Sequence, residues 1–301
     1  MLHWLLARHC PFFMSETSPE FPRVLIIDSS AILKSCFEGY PNPRSSSYKG
    51  KVMDTQALYG YMHRTMRLYE RLEFEYMVHV MDPPGGSFYR YAMYPEYKAG
   101  RKEDDPTLAA QKALLKRTLE AFGERVILER GVEADDLIAT LADRCYEKGY
   151  QCMIISPDKD LMQMVNDEKH ISLARYVKDP RTGYNDYSFY EEQEVLNTFG
   201  VRADQVADFL AIVGDTADNI PGIFKAGEKT AANWLNQYGD LQTLMTHADQ
   251  IKGKIGENLR AALPHLPRDQ KLTNVLRDVP GIDIPARPAF DDEKSVFFRE
   301  V

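Results

Sequence analysis

Three short apolar runs, each ending on an aspartate, constrain the fold more than any other feature. Val24-Leu25-Ile26-Ile27-Asp28 is continuously apolar up to its acid, the pattern of a buried parallel strand whose last residue faces a crevice at the carboxyl edge of a sheet. Tyr76-Met77-Val78-His79-Val80-Met81-Asp82 repeats the design and is followed by Pro83-Pro84-Gly85-Gly86. A third run, Cys152-Met153-Ile154-Ile155-Ser156-Pro157, delivers Asp158 and Asp160. Arg125 to Leu128 is strand-like, and residues 170–174 form a further candidate strand. Helical patterns cover about 55–71 and 107–122 and dominate beyond about residue 190. The expected class is α/β, with a mostly parallel central sheet flanked by helices.

A second concentration of acid lies at Val132-Glu133-Ala134-Asp135-Asp136, where an amphipathic helix begins. Ala134, Leu137, Ile138, Leu141 and Cys145 recur at helical spacing and define its inward face, while Glu133 and Asp136, three apart, are neighbours on another. Acids favour a helix N-terminus by roughly 0.3–1 kcal/mol each, so dipole complementarity alone explains such a start. What favours a site is the coincidence with three strands that end in acids, at the edge where open α/β sheets bind their ligands. His79 lies inside a strand, lacks partners at ligand spacing and is read as a packing residue.

With 301 residues, one large α/β domain and a smaller helical one are expected. No apolar run approaches the roughly 18 residues of a membrane span, and the four cysteines form neither a C-x-x-C pair nor a framework, which suits a reducing, cytoplasmic setting. The net charge of −8 does not exclude nucleic acid. The nine candidate acids of the site outweigh that excess, so the remaining surface is near neutral, and distribution matters more than the total. Residues 1–13 lack a charged start and a cleavage site, which argues against export and points to Met14 as the true start. Residues 40–51 read as a loop, and Asp179 to Gly183 as a turn.

Two further segments carry chemistry. Ser87 to Lys102 holds five aromatics and four basic residues against one acid. Interleaved rings and cations suit single-stranded nucleic acid, and a surface loop with half-buried tyrosines fits the same pattern. Downstream, Gly214-Asp215-Thr216-Ala217-Asp218-Asn219 offers another acid pair three apart. It is followed by Ile220-Pro221-Gly222-Ile223-Phe224-Lys225-Ala226-Gly227-Glu228-Lys229-Thr230-Ala231, a glycine-bearing turn before a helix, where backbone N–H groups can bind phosphate. A phosphatase of the haloacid dehalogenase type would need a second aspartate at Ser30, and a metal-adhesion site a serine at Ile32. Neither pattern is present.

In order along the chain, Leu25-Ile-Ile-Asp28, Asp82, Tyr97-Lys98-Ala-Gly-Arg101, Gly131-Val-Glu-Ala-Asp-Asp136, Asp158-Lys-Asp160, Gly214-Asp215-Thr-Ala-Asp218-Asn219 and Pro221-Gly222 through Gly227-Glu-Lys-Thr-Ala231 resemble the flap endonuclease family. That family comprises the 5′ nuclease domain of bacterial DNA polymerase I and its freestanding bacterial and bacteriophage relatives. The resemblance runs from about Arg23 to Pro280. It implies an N-terminal extension (1–22, disordered), an α/β nuclease domain (23–190) with a helical arch at about 84–122, a helical DNA-binding region with a helix–hairpin–helix (191–280), and a tail (281–301).

The resemblance further implies that Asp28, Asp82, Glu133, Asp135, Asp136 and Asp158 gather around one divalent ion, with Asp160, Asp215 and Asp218 serving a second. Mg²⁺ is the expected ion, with Mn²⁺ as substitute. Hard cations with oxygen ligands resolve the mutual repulsion of such acids and activate water for phosphodiester cleavage. Lys98 and Arg90 are expected at the scissile phosphate. Tyr97, Arg101, Gly222, Lys225, Gly227, Lys229 and Thr230 are expected on DNA, with K⁺ at the hairpin. Many relatives carry Gly-Ile-Gly where this chain has Lys225-Ala226-Gly227, which puts the turn and its K⁺ in question. The implied partner is DNA with a 5′ single strand beside duplex, bound by a monomer. Phe297-Phe298 lacks the spacing of a sliding-clamp anchor. The implied activity is that of a metal-dependent 5′ flap endonuclease and 5′–3′ exonuclease of replication and repair. Rival readings are a catalytically weak branched-DNA-binding protein, and a ribonuclease of the related small nuclease domains, which lack the hairpin region.

Overall fold

The computed structural model describes residues 21–39, 45–48, 51–101, 104–178 and 183–285. Its strands in chain order are β1 (Arg23–Asp28), β2 (Ser45–Tyr48), β3 (Lys51–Asp54), β4 (Tyr76–Val80), β5 (Arg125–Ile127), β6 (Gln151–Ile155), β7 (Ile171–Lys178) and β8 (Asn185–Tyr190). The helices are α1 (Ser29–Gly39), α2 (Gln56–Arg71), α3 (Phe88–Met93), α4 (Pro106–Ala121), α5 (Ala134–Glu147), α6 (Glu192–Phe199), α7 (Val206–Val213), α8 (Glu228–Tyr238), α9 (Leu241–Thr246), α10 (Gly253–Ala262) and α11 (Leu266–Thr273). None is long and apolar enough to cross a membrane. The expectations for residues 1–20, including Met14, for 179–182 and for Phe297-Phe298 lie outside the described residues.

The three apolar runs lie side by side, as their composition requires. The sheet order is β5-β4-β1-β6-β7-β8, parallel throughout except for the β7–β8 pair. Because side chains alternate along a strand, β1 sends Val24 and Ile26 into one core and Leu25 and Ile27 into another. All four are fully buried, and each contributes about 1.5–3 kcal/mol relative to exposure. On the first face, α5 packs through Leu137, Ile138, Leu141 and Cys145, and the same core continues into α7 through α10. On the other face lie α1, α2 and α4. The helical C-terminal region is therefore continuous with the core of the sheet, which fixes its acids relative to those on the strands.

Two elements differ from the sequence reading. The stretch read as a loop contains β2 and the first residue of β3, and the two pair antiparallel from Ser45↔Asp54 to Tyr48↔Lys51. A serine-rich ladder held by backbone bonds leaves no apolar periodicity to read. Strand β8 is also additional; it lies at the sheet edge with only Tyr187 buried, so its pattern is polar. His79 is packed as expected, 2 % exposed, with Tyr61 Oη 2.6 Å from its Nδ1. Burial pushes it down to about 3, so it is neutral.

Gln111 of α4 solves a capping problem. Thr55 provides no side-chain cap for α2, and the N–H groups of Ala57 and Leu58 instead donate to Gln111 Oε1 at 2.9 and 3.2 Å. Gln111→Ala strands two buried donors. The expected result is a loss of about 1–3 kcal/mol, read as a lowered Tm in calorimetry with unchanged far-UV dichroism.

Candidate metal centre

The acids converge because each is positioned by a different element at one edge of the sheet. Asp28 ends β1 and is 2 % exposed. Its Oδ1 accepts from the Ala31 amide at 3.1 Å, and its Oδ2 accepts from Ser156 Oγ at 2.6 Å. The Asp82 amide donates to Ser30 Oγ at 2.8 Å, and Asp82 Oδ1 accepts from the Ala134 amide at 2.9 Å, so this acid caps α5. The Asp158 amide donates to Ser156 Oγ at 3.0 Å, and Asp158 Oδ1 accepts from the Asp160 amide at 2.9 Å. Pro157 ends the strand ahead of them, and Asp160 opens a 3₁₀ turn, Asp160–Met164.

Their charges are felt across the crevice. Burial and then Asp82 push Asp28 up to about 7. Burial, then Asp158, Asp28 and Asp82, raise Asp135 well above the carboxylate range. Burial, then Asp158 and Asp215, push Asp160 up to about 7, with Asp218 adding to the rise. Asp160 thus links the strand-end acids to the pair on the loop after α7. That loop is closed by mutual Asp215 and Ile220 backbone bonds, and Asp215 Oδ1 accepts from the Ala217 amide at 2.7 Å.

Part of the expected site is bonded to other residues of the chain. Asp136 is 1 % exposed and turns away from the crevice, because successive residues of a helix point about 100° apart. It takes Arg90 bidentately at 2.6 and 2.8 Å and accepts from the Leu276 amide at 2.9 Å. Arg90, expected at a phosphate, is 2 % exposed and also donates to Leu272 O and Asn274 O. Its Nη1 lies 3.1 Å from Glu133. The proximity of Glu133 and Asp136 is therefore used to hold a guanidinium, and Arg90 lines one cavity with Glu133, Asp135, Asp160, Asp215 and Asp218 while Asp136 lies behind it.

Tyr97 is bonded in this way as well. It is 3 % exposed, and its hydroxyl lies 3.2 Å from Glu133 Oε2 and 2.9 Å from Asp218 Oδ2, so it bridges two acids and offers no face to a base. Lys98 adopts φ 58 and places Nζ 2.5 Å from Glu133 Oε1 and 3.9 Å from Asp218. Arg101 pairs with Asp218. In the hairpin, Gly222 is buried: a Cβ there would lie 2.5 Å from the Gly214 amide nitrogen, so its role is close packing of two turns. Lys225, Gly227 and Lys229 are exposed around the start of α8, and Thr230 is half-buried. Lys225 itself takes the left-handed conformation, φ 65, at a penalty of roughly 1–2 kcal/mol relative to glycine.

The donor set fits a hard divalent cation. It is all carboxylate oxygen, desolvated and crowded enough that the ionised forms of Asp28, Asp135 and Asp160 are disfavoured unless positive charge is supplied. The side chains stand apart: among the described residues no three His, Cys, Asp or Glu side chains already close on a single point. Each is instead tethered by its own hydrogen bonds. Ser30 and Ser156, absent from the sequence reading as site residues, position Asp82, Asp28 and Asp158; a hydroxyl two residues from a strand-end acid is the signal that marks both. In the folded state Asp28 and Asp160 bind protons that the unfolded chain releases near pH 4, so their contribution to stability falls as pH rises through about 7. A bound divalent ion reverses this penalty. Its Tm increment, measured by calorimetry at fixed Mn²⁺, is expected to be small at pH 5 and to grow by several degrees towards pH 8; a constant increment contradicts this.

Comparison with known proteins places this geometry. Residues 23–200 match the family described as the 5′–3′ exonuclease N-terminal resolvase-like domain, and residues 201–289 match the 5′–3′ exonuclease C-terminal SAM fold. DNA polymerase I of Mycobacterium tuberculosis is 35 % identical over 267 residues, covering 88 % of this chain and 28 % of that protein. DNA polymerase I of Bacillus caldotenax is 30 % identical over 284 residues, covering 93 % and 31 %. The chain thus spans less than a third of the length of these relatives. Among solved structures, the 5′-exonuclease of bacteriophage T5 with bound zinc superposes with a TM-score of 0.65 at 22 % identity, over 85 % of this chain and 90 % of that one. The bacteriophage T5 flap endonuclease in a pseudo-enzyme–product complex with DNA and metal ions gives the same values. At that identity the likeness concerns the fold.

Proposed function

The chain belongs to the 5′–3′ exonuclease family, and from that membership we propose a divalent-metal-dependent, structure-specific 5′ nuclease that hydrolyses phosphodiester bonds in branched or nicked DNA during replication and repair. The observation that carries this reading is the row of Asp28, Asp82, Asp135 and Asp158 at one sheet edge, coupled through Asp160 to Asp215 and Asp218, with Lys98 against Glu133 beside it. Residues 23–190 form the nuclease domain in this reading and residues 191–280 the duplex-binding region.

Mg²⁺, or Mn²⁺ in its place, is the ion such carboxylates hold; when bound it supplies an activated water and charge neutralisation at the leaving oxygen. Asp28, Asp82, Asp135 and Asp158 hold the first position, and Glu133, Asp160, Asp215 and Asp218 the second. Ser156 fixes Asp28 and Asp158 relative to each other. Lys98 brings the cation that neutralises charge developing on the scissile phosphate, and Arg101 holds the neighbouring strand. Lys225, Lys229 and the amides of Gly227 and Thr230 contact duplex phosphates, with K⁺ at the turn. The chain acts as a monomer, in the cytoplasm, on DNA with a free 5′ strand beside duplex.

Single-turnover cleavage of a 5′-flap duplex at saturating enzyme tests the assignment. Lys98→Ala is expected to lower the rate by about 10²–10³-fold while changing Kd far less. A rate equal to wild type assigns Lys98 to holding Glu133 alone and removes it from the chemistry.

A further inference from the structure

Helix α2 carries Arg64, Arg67 and Arg71, and their environments differ. Arg67 and Arg71 have a carboxylate in reach, Asp186 of β8, at 3.8 and 2.6 Å. Arg64 has no acid partner among the described residues, although it is 6 % exposed. Its Nη1 donates to Ser35 Oγ at 3.0 Å, its guanidinium carbon lies 4.7 Å from the centre of the Tyr176 ring, and its buried Nε, like that of Arg67, has no hydrogen-bond partner. A buried cation without counter-charge is strongly unfavourable, and an orphaned buried donor adds to the penalty.

The guanidinium lines a cavity of about 10 Å³, together with Ser156, Pro157, Tyr176 and Tyr187. That is the room one water or one phosphate oxygen needs. With Nη1 committed to Ser35, the edge bearing Nε is the one left, and a side-on guanidinium edge binds an oxyanion with two parallel hydrogen bonds. The cavity adjoins the acids: Ser156 is the residue whose hydroxyl donates to Asp28 and accepts from the Asp158 amide. A phosphate oxygen seated here is next to Ser156, the residue that bridges Asp28 and the Asp158 amide.

We propose that Arg64 is an anion subsite, which takes a backbone phosphate of the DNA duplex beside the cleaved bond, so that substrate supplies the counter-charge that no described residue provides. This rests on the nuclease reading above. Side-on recognition fixes the direction of that phosphate as well as its charge, and so sets the register of the duplex against the acids.

Arg64→Met and Arg64→Lys in the full chain test the subsite, with Tm and the affinity for a 5′-flap duplex in EDTA read across a NaCl series. Arg64→Met is expected to bind about tenfold more weakly, with a log–log salt slope shallower by about one, and to keep or raise Tm because an uncompensated charge is removed. Arg64→Lys is expected to keep the wild-type slope and recover part of the affinity, since it restores the charge without the planar edge. Wild-type affinity and slope in Arg64→Met, with a lowered Tm, overturn the proposal and make the guanidinium a packing element on Tyr176. Failure of the wild-type chain itself to prefer the flap over blunt duplex is a separate outcome, which removes the nuclease reading and the subsite with it.

Discussion

Repulsion among carboxylates is the constraint on which this molecule turns. Asp28 is buried, Asp135 and Asp160 are half-buried, and all three are raised by desolvation and by Asp158, so their ionised forms are disfavoured without added positive charge. The fold is arranged to hold them together nonetheless. The Ala31 amide, Ser156 and the first amide of α5 each spend a hydrogen bond on a strand-end acid, and the parallel sheet supplies the rigid edge from which those acids project. A scaffold that concentrates negative charge in this way is suited to completion by a cation, which is what the proposed nuclease chemistry requires.

The cations around the acid crevice, α2 and the hairpin differ in role. Arg90 closes a buried joint among α3, α5 and the segment after α11, with Asp136 and three backbone carbonyl or amide partners. Lys98 and Arg101 lie on Glu133 and Asp218, where they hold the segment after α3 against the acid crevice. Arg64 and the exposed lysines of the hairpin have no such commitment to an acid of the crevice. The ordering of these roles follows burial: the more desolvated the guanidinium, the more fully it must be bonded, which is why Arg64 stands out.

The sheet and the core were legible because continuous apolar runs and helical periodicity are written in local sequence. Strand β1 and helices α2 and α4 fall within a residue or so of the positions that periodicity gives. Strands β2 and β8 were not legible, since one is a serine-rich ladder and the other a polar edge strand, each paired through backbone bonds with the strand next to it in sequence. At the site, spacing identified the acids that approach one another but not their partners. Glu133 and Asp136 were correctly taken as neighbours, yet only the fold reveals that Arg90 lies between them and that Tyr97 spans Glu133 and Asp218. Side-chain pairing between residues this far apart in sequence has no local signature.

Anomalous scattering from crystals soaked in Mn²⁺ tests the central claim most directly. The account predicts density for a cation among Asp28, Asp82, Asp135 and Asp158, with Asp136 still bonded to Arg90 and outside the coordination sphere. A cation coordinated by Asp136, or crystals in which Mn²⁺ does not bind at this edge of the sheet, contradicts it.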